Sequence, residues 1–402
     1  MKYNLPYIKN PLRVISLLFL VGIFFSNAVL QIATGLFLPL IIYFSLKKLF
    51  ENKLITIEKL ILALFFSGIV SIFISPIPSI AFKNIIRHSI LLTIIPLTYI
   101  AEKDELVTVE LFGKIFTVSA LVTAALGIFR FLNGAERAFG FFAGYYTLAS
   151  LLAFSIPITF AHIFYSNNFW KYLTYISVVV QAIALWLTFT RSALLGIIFG
   201  SLAVLCYLLF QWKISRKSKK KILLASMLIL FVITILLFTS SDARFNPLVI
   251  FSNPDISSGR TEIYFDAYKT FTSDLKIGWE NIFFGHGLNS RVILFPNSLY
   301  TSWESEYIES FMTQGLIGLL LVILIYYQFF KNLSNLLSKS SNSDYRIFSL
   351  GITISGISFW IISFFSSQLV GQNSSAYFVV LYSLMLVIDK VSKKDEVHSQ
   401  IN

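Results

Sequence analysis

Cysteine, histidine and charge are all scarce in this sequence. Of 402 residues one is cysteine, four are histidine and 13% are charged, whereas 56% are hydrophobic. The single cysteine, Cys206, excludes a disulfide framework or a thiolate zinc site within the chain. So few charges cannot cover the surface of a water-soluble domain of this size, and the composition therefore indicates a membrane protein.

Several motifs of nucleotide- and metal-dependent enzymes are also absent. The sequence has no Asp-x-Asp pair for a metal–diphosphate complex, no P-loop and no glycine-rich dinucleotide fingerprint. Its histidines are scattered along the chain. We therefore predict no cofactor and no metal, so any phosphate group must be bound by side chains and backbone amides alone.

Long apolar runs dominate what is present. Each is about long enough to cross a hydrocarbon core roughly 30 Å thick as a helix, and none shows the alternation of a barrel strand. The sequence predicts an all-α polytopic membrane protein, in which residues 1–402 form a single integral membrane domain of about twelve transmembrane helices. The runs are 12–28, 29–46, 57–75, 82–100, 109–132, 141–165, 171–189, 192–211, 221–239, 306–330, 346–367 and 372–389.

Lysine and arginine positions predict the orientation of these helices. With a cytoplasmic N-terminus, 22 of the 32 basic residues lie on the cytoplasmic side and ten on the far side, which follows the positive-inside rule. Both termini are then cytoplasmic. The densest basic run, residues 213–221, lies where a cytoplasmic loop meets anionic lipid. Membrane lipids, and not nucleic acid, therefore account for the net charge of +12.

Residues 240–305 form one long connection, which this topology makes a periplasmic loop. A connection of that length without structure is unusual in a compact fold, so we expect short helices within it. An amphipathic helix is predicted over 259–271, lying on the bundle or at the membrane interface. The positions at helical spacing on its apolar face are Ile263, Tyr264, Ala267, Tyr268 and Phe271.

The basic residues on the far side differ in kind, because seven of the ten are arginines. Arginine presents a planar fork that suits phosphate oxygens and remains charged at physiological pH. Arg191 opens a span beside Thr188, Thr190 and Ser192, at a helix N-terminus that favours anions. Taken alone, Arg191 is better explained by snorkelling to the lipid headgroups. Several outer basic residues together favour a common anionic ligand, and the other candidates are Arg87, Arg130 and Arg137.

Carboxylates stand where the long connection re-enters the membrane. Glu304 and Glu306 precede the predicted span, and Glu309 lies one turn further along. They are explained either by pairing with arginines or by capping of the helix N-terminus. The alternative is that one of them is a general base. Partial desolvation raises the pKa of a carboxylate toward the range in which it can accept a proton from a hydroxyl group. The sequence leaves both interpretations open.

Short motifs along residues 120–330 together resemble the superfamily of O-antigen ligases and O-antigen polymerases, which are bacterial inner-membrane glycosyltransferases. In that family a Thr-x-(Ser/Thr)-Arg-x-x-x-Leu-Gly motif opens a mid-chain span, and residues 188–196 here read TFTRSALLG. The family also has an Arg-x-x-Gly motif, then Gly-Arg and Gly-x-Gly in the periplasmic loop, and a polar motif eleven residues before Gly-Leu-Ile-Gly. The counterparts here are Arg137, Gly140, Gly259, Arg260, Gly285, Gly287 and residues 315–318.

This resemblance implies a reaction and a site for it. The donor is a polyprenyl-diphosphate-linked oligosaccharide, the acceptor is a lipid or glycan, and a chain-length regulator protein is a further partner. The active site would lie on the periplasmic face of the bacterial inner membrane. Arg191, Arg137 and Arg260 would bind the diphosphate without a metal. Glu304 or Glu306 would take the proton of the acceptor hydroxyl, so that the sugar carbon is inverted.

One departure from the family pattern separates the candidate functions. Ligases of the family have a His-Asn pair at the polar motif, where this chain has Glu304 and Ser305. We therefore expect a polymerase of O-antigen or another surface polysaccharide, which joins lipid-linked glycan units. The alternatives are a ligase that transfers the glycan to lipid A core or another acceptor, and a transporter of lipid-linked glycans without catalytic activity. Transporters keep charges near the bilayer midplane, whereas the arginines here lie toward one face.

Overall fold

The chain folds almost entirely into α-helices. The computed structural model describes residues 11–103, 108–142, 144–210, 260–298, 301–339, 343–369 and 371–401, and this part of the chain contains no strand. Its helices are α1 (Pro11–Phe25), α2 (Asn27–Phe50), α3 (Thr56–Ile74), α4 (Pro78–His88), α5 (Ile94–Lys103), α6 (Val109–Leu132), α7 (Tyr145–His162), α8 (Asn168–Leu187), α9 (Arg191–Phe210), α10 (Arg260–Ile277), α11 (Glu280–Phe284), α12 (Ser290–Leu294), α13 (Glu306–Lys339), α14 (Ser343–Ser363) and α15 (Gln372–Ile401).

The helices confirm an all-α polytopic membrane protein. Within the described residues, eight helices are long and apolar enough to cross a membrane, namely α2, α3, α6, α8, α9, α13, α14 and α15. Shorter apolar helices cover Val14–Phe25 and Ser89–Ile100, and α7 adds an 18-residue helix. Each predicted run thus has a helical counterpart, except 221–239, which lies outside the described residues.

The predicted span at 82–100 is wrong as one continuous α-helix. α4 and α5 are separated by a 3₁₀ turn over Ser89–Thr93. Pro96 explains the break, because it has no amide proton to donate to the carbonyl of Leu92 and its ring crowds that carbonyl. Hydropathy alone does not register this interruption, since the residues on both sides of the turn are apolar.

Close packing of α9 on α14 sets the direction of α9. Gly196 and Gly200 of α9 face the α14 backbone, where an added Cβ would lie 2.9 Å from the Ser358 carbonyl oxygen and 2.7 Å from that of Ile354. Small residues four positions apart let two membrane helices approach closely, where van der Waals contact holds them together. Because Arg191 begins α9, this contact also determines where Arg191 lies.

An ion pair is buried between α2 and α3. Lys48 Nζ lies 2.6 Å from Glu58 Oε1 and donates to Thr98 Oγ1 of α5 at 3.1 Å. Both charged side chains are almost fully buried. Removing one partner of such a pair leaves an uncompensated charge inside the protein. Lys48, expected as a lysine of a cytoplasmic connection, therefore joins three helices.

The opposite end of the bundle gathers the connections that carry most of the predicted site residues. We call it the site end and define it as residues 133–142, 144, 188–190, 278–298, 301–305, 364–369 and 371 together with the start of α10. The Ala138 amide donates to the carbonyl oxygen of Leu187 (2.9 Å), the last residue of α8. This hydrogen bond joins the connection after α6 to the end of α8. Arg260 Nη2 donates to the Phe365 carbonyl oxygen (3.3 Å), which joins α10 to the connection after α14.

α10 confirms the helix predicted within the long connection. Ile263 and Ala267 are buried against Trp303. Tyr264 and Tyr268 were predicted on the same apolar face, but they are 36% and 63% exposed. The buried face of α10 is thus narrower than its sequence pattern suggests, because the chain after residue 300 covers only one side of the helix.

Candidate functional site

Two glycines of the resemblance hold the site end together. α13 is kinked at Gly315, where φ is 68°, and Gly285 has φ of 75°. A Cβ atom on Gly285 would overlap the backbone of Thr313, and one on Gly315 would overlap the backbone of Phe283. Both conformations also lie in the left-handed region that favours glycine. The two glycines therefore let two backbones meet directly.

The Gly315 kink also creates hydrogen-bond acceptors. Helix residues before a break have carbonyl groups without a partner in the next turn. The carbonyl oxygen of Met312 accepts the His286 amide (2.9 Å), and that of Thr313 accepts the Gly287 amide (3.0 Å). The Gly-x-Gly loop is thereby attached to the part of α13 that follows the predicted carboxylates Glu304 and Glu306.

We expect Gly315→Ala to lower the free energy of unfolding by about 2 kcal/mol or more, since the new Cβ meets backbone that cannot move aside. Thermal unfolding of the detergent-solubilised protein measures this loss. Gly278→Ala is the matched control, because a Cβ at Gly278 meets nothing within 4 Å. Equal stability of the two variants would contradict the role of Gly315 in the direct contact between the two backbones.

Arg260 occupies the centre of the site end. Its guanidinium donates to the Tyr146 hydroxyl and to the Phe365 carbonyl oxygen, and Nη2 lies 3.8 Å from Glu304 Oε2. Arg260 and Glu304 side chains are 18% and 30% exposed, so both remain accessible to a ligand. Helices α7 and α10 and the connection after α14 thus converge on one guanidinium.

The protonation states around Arg260 follow from its surroundings. Burial lowers the pKa of Arg260, but Tyr146 and Glu304 raise it by more, so the pKa lies above its ordinary value. Burial raises the pKa of the Tyr264 hydroxyl on the same helix, and the charge of Arg260 opposes that rise. Arg260 is therefore a cation and Tyr264 a neutral hydroxyl at neutral pH, and both can donate hydrogen bonds to an anion.

Arg137 is connected to this centre through two aromatic rings. Its guanidinium carbon lies 3.9 Å from the centroid of the Tyr145 ring, and the Tyr145 and Tyr146 rings are 5.0 Å apart. Stacking on an aromatic face holds a guanidinium plane without using its hydrogen-bond donors. Arg137 is thus linked to Arg260 through Tyr145 and Tyr146, and its stacking leaves its hydrogen-bond donors available.

Arg191 lies at the N-terminus of α9, as predicted. Its side chain makes no hydrogen bond or ion pair with any residue of the described chain, whereas the hydroxyls around it are mostly engaged. Thr188 Oγ1 donates to the Leu185 carbonyl oxygen (2.7 Å) and Thr190 Oγ1 to that of Thr188 (3.3 Å). These two threonines shape the turn before α9. The predicted anion-binding groups here are therefore Arg191 and the free amides of the helix.

The other predicted arginines differ in their environment. Arg130 donates to the Gly140 carbonyl oxygen and lies over the Phe139 ring, 4.5 Å from its centroid, so it stabilises the connection that carries Arg137. Arg87 belongs to α4, but its side chain lies outside the described residues. Direct binding of an anion by either side chain remains a prediction.

The two predicted carboxylates are in contrasting positions. Glu304 has a φ of 52°, accepts a hydrogen bond from Ser302 Oγ (3.2 Å) and faces Arg260. Glu306 is fully buried, and its Oε2 accepts the backbone amides of Gln368 and Leu369, the second at 2.8 Å. Of the two, Glu304 is therefore placed to meet a substrate, while Glu306 anchors the connection between α14 and α15.

We expect Glu306→Ala to destabilise the fold by about 3 kcal/mol, because two buried amides lose a charged acceptor. Glu306→Gln should cost less and should retain measurable catalytic activity, since a neutral oxygen can still accept. Thermal unfolding and an activity assay on the same preparation measure both effects. The exposed Glu262 provides a control through Glu262→Ala, and a stable but inactive Glu306→Gln would contradict the anchoring role.

Tyr146 was not among the residues predicted from the sequence. It bonds to Arg260 across 114 positions of the chain, and the only local signal is the pair of tyrosines directly after Gly144. The Gly-x-Gly loop also carries His286. Its Nε2 lies 2.8 Å from Asp274 Oδ2, and both side chains are buried, so the pair ties α10 to the Gly-x-Gly loop.

Fold and site together define a polytopic membrane protein with arginines and an accessible carboxylate gathered at one end of its bundle. Residues 176–323 match the family model described as O-antigen ligase, and this stretch includes Arg191, Arg260, Glu304 and Glu306. The match covers about a third of the chain and supports the predicted resemblance to the O-antigen ligase and O-antigen polymerase superfamily, which points to a glycosyltransferase-like enzyme. No curated protein matches the chain.

Proposed function

We propose that this protein is a polymerase of a bacterial surface polysaccharide, which transfers a glycan from a polyprenyl diphosphate to the hydroxyl of a second lipid-linked glycan. The observation that carries this proposal is the Arg260 guanidinium, held between Tyr146 and Glu304, while Arg137 stacks on Tyr145, the chain neighbour of Tyr146. Such a transfer requires cationic groups that bind the diphosphate, here arginine guanidinium groups, and an accessible carboxylate.

The arginines act on the leaving group. As the bond between the sugar carbon and the diphosphate oxygen breaks, that oxygen takes the electron pair and gains negative charge. Arg260 and Arg137 bind these oxygens, and Arg191 adds a third guanidinium together with the free amides of the α9 N-terminus. Groups oriented before the reaction stabilise developing charge more effectively than mobile water.

Glu304 acts on the acceptor. Arg260 and Glu304 are 3.8 Å apart, so a diphosphate that binds the guanidinium competes with the carboxylate and releases it. Glu304 then accepts the proton of the acceptor hydroxyl while the oxygen forms the new bond to the sugar carbon. Attack from the face opposite the diphosphate inverts that carbon.

The polymerase rather than the ligase reaction is favoured by the residue at the polar motif. Glu304 stands where ligases of the superfamily have histidine, and it is this residue that faces Arg260. The excess of lysine and arginine at the end opposite the site end agrees with a cytoplasmic location for that end. We accordingly assign the site end to the periplasmic face of the inner membrane.

A deletion strain complemented with the wild-type gene tests the function. We expect the deletion to leave single repeat units on the final acceptor, and the wild-type gene to restore long chains, as seen by electrophoresis of the surface glycan. Polymer that accumulates on the lipid carrier would instead identify a ligase. If membranes isolated from the deletion strain still polymerise lipid-linked units that are supplied on the periplasmic side, the protein would be a transporter.

A further inference from the structure

A polar cavity opens beside Tyr146. It has a volume of about 200 Å³ and is lined by the start of α7, the connection after α14 and the start of α15. This volume is several times the roughly 30 Å³ that one water molecule occupies in the liquid. It is smaller than the roughly 300–1,000 Å³ of sites for drug-sized ligands. The cavity therefore suits one ring of a larger molecule.

Four polar atoms around this cavity have no hydrogen-bond partner in the described chain. They belong to Ser367 (Oγ), Gln368 (Oε1), Asn373 (Oδ1) and Tyr377 (Oη). Gln368 and Tyr377 are 2% and 0% exposed. Leaving a buried polar group without a partner costs about 1–3 kcal/mol, so four of them around one cavity indicate a ligand that completes their hydrogen bonds.

The chemistry of the cavity indicates a neutral ligand with hydroxyl groups. None of the described residues that line it is charged. The Gln368 amide nitrogen donates to Ser366 Oγ (3.2 Å), which directs its carbonyl oxygen to a different partner. That oxygen needs a donor, and a diphosphate offers only acceptors, whereas a sugar hydroxyl both donates and accepts. Tyr146 adds an aromatic ring that can pack against sugar C–H groups.

The position of the cavity relates it to the reacting groups. Tyr146 lines the cavity and its hydroxyl accepts a hydrogen bond from Arg260. Gln368, on the opposite wall, is held in place by the Glu306 carboxylate through its backbone amide. We propose that this cavity binds a sugar ring of the acceptor glycan and presents its hydroxyl to Glu304. This assignment rests on the glycosyl transfer proposed above.

Binding of a glycan without its carrier tests the cavity directly. The probe is the oligosaccharide released by mild acid from the lipid-linked intermediate of the host strain, which has neither diphosphate nor lipid. Saturation-transfer NMR on the full chain in lipid nanodiscs measures its affinity. We expect Tyr377→Phe and Asn373→Ala each to weaken binding about fivefold, as expected for one lost hydrogen bond. Tyr326→Phe, at a buried tyrosine outside the cavity, should bind like wild type.

The outcomes separate the cavity from the proposed reaction. Wild-type affinity in both cavity variants, with unchanged thermal stability, would overturn the proposal and leave the glycosyl transfer intact. Displacement of the probe by inorganic pyrophosphate would also overturn it, because the cavity would then hold the diphosphate. Specific probe binding in a protein that fails to transfer glycan from a lipid-linked donor would instead contradict the proposed function. Tyr377→Phe removes one oxygen without changing the ring, so folding is preserved.

Discussion

Arg191→Lys is expected to reduce glycan transfer by about a hundredfold, the loss typical of removing one donor that stabilises developing charge. Lysine keeps the positive charge but loses the planar fork, so it cannot bind two phosphate oxygens side by side. Transfer rates of the purified protein with the lipid-linked donor measure the effect. Because the Arg191 side chain has no hydrogen bond or ion pair with the described residues, thermal stability should change little.

Lys269→Ala is the matched control for Arg191→Ala, which removes the charge together with the planar guanidinium. Lys269 is an exposed cation of α10, so its removal changes the net charge of the site end without touching the proposed site. Wild-type chain length in a strain that carries Arg191→Lys, and also in one that carries Arg191→Ala, would contradict diphosphate binding by this residue. An equal loss in Lys269→Ala would show a general effect of charge.

Glu304→Gln is expected to lower the turnover number by about a hundredfold or more, within the range for loss of a general base. The amide has nearly the same shape but cannot accept the acceptor proton. The Michaelis constant for the donor should change much less, because Arg260 and Arg137 remain. Steady-state kinetics with separately varied donor and acceptor measure the two constants.

Glu304→Asp separates the base from the ion pair. Aspartate retains a charge for Arg260 and an acceptor for the proton, so the loss should be smaller than in the glutamine variant. Glu262→Gln, on the exposed face of α10, should have wild-type kinetics. If Glu304→Gln has wild-type turnover while Glu306→Gln does not, the roles assigned to the two carboxylates must be exchanged.

Transmembrane helices were the most predictable part of this protein. In hydrocarbon every backbone group must bond within its own helix, so long apolar runs such as 57–75 and 109–132 correspond directly to α3 and α6. The exception is the run 82–100, where Pro96 interrupts the α-helix because it has no amide proton to donate. Lys48 shows the reverse case, since its ion pair depends on α3 and α5 and not on neighbouring residues.

The site was only partly predictable. Arg191 and Arg260 belong to local motifs, and a motif can be read without knowing its neighbours. Tyr146 could not be nominated, because its importance comes from Arg260, more than a hundred residues further along. Glu304 and Glu306 look alike in the sequence, but a two-residue difference turns one toward Arg260 and the other toward the amides of Gln368 and Leu369.

By itself the sequence determined the class of fold, the order of the helices and the motifs of the superfamily, because hydrophobicity and short motifs are properties of neighbouring residues. Only the tertiary structure decided which arginine meets which carboxylate, which glutamate is an anchor, and where a polar cavity lies next to Tyr146. Those relations join α7, α10, α13 and α15, and the packing of helices distant in the chain determines them.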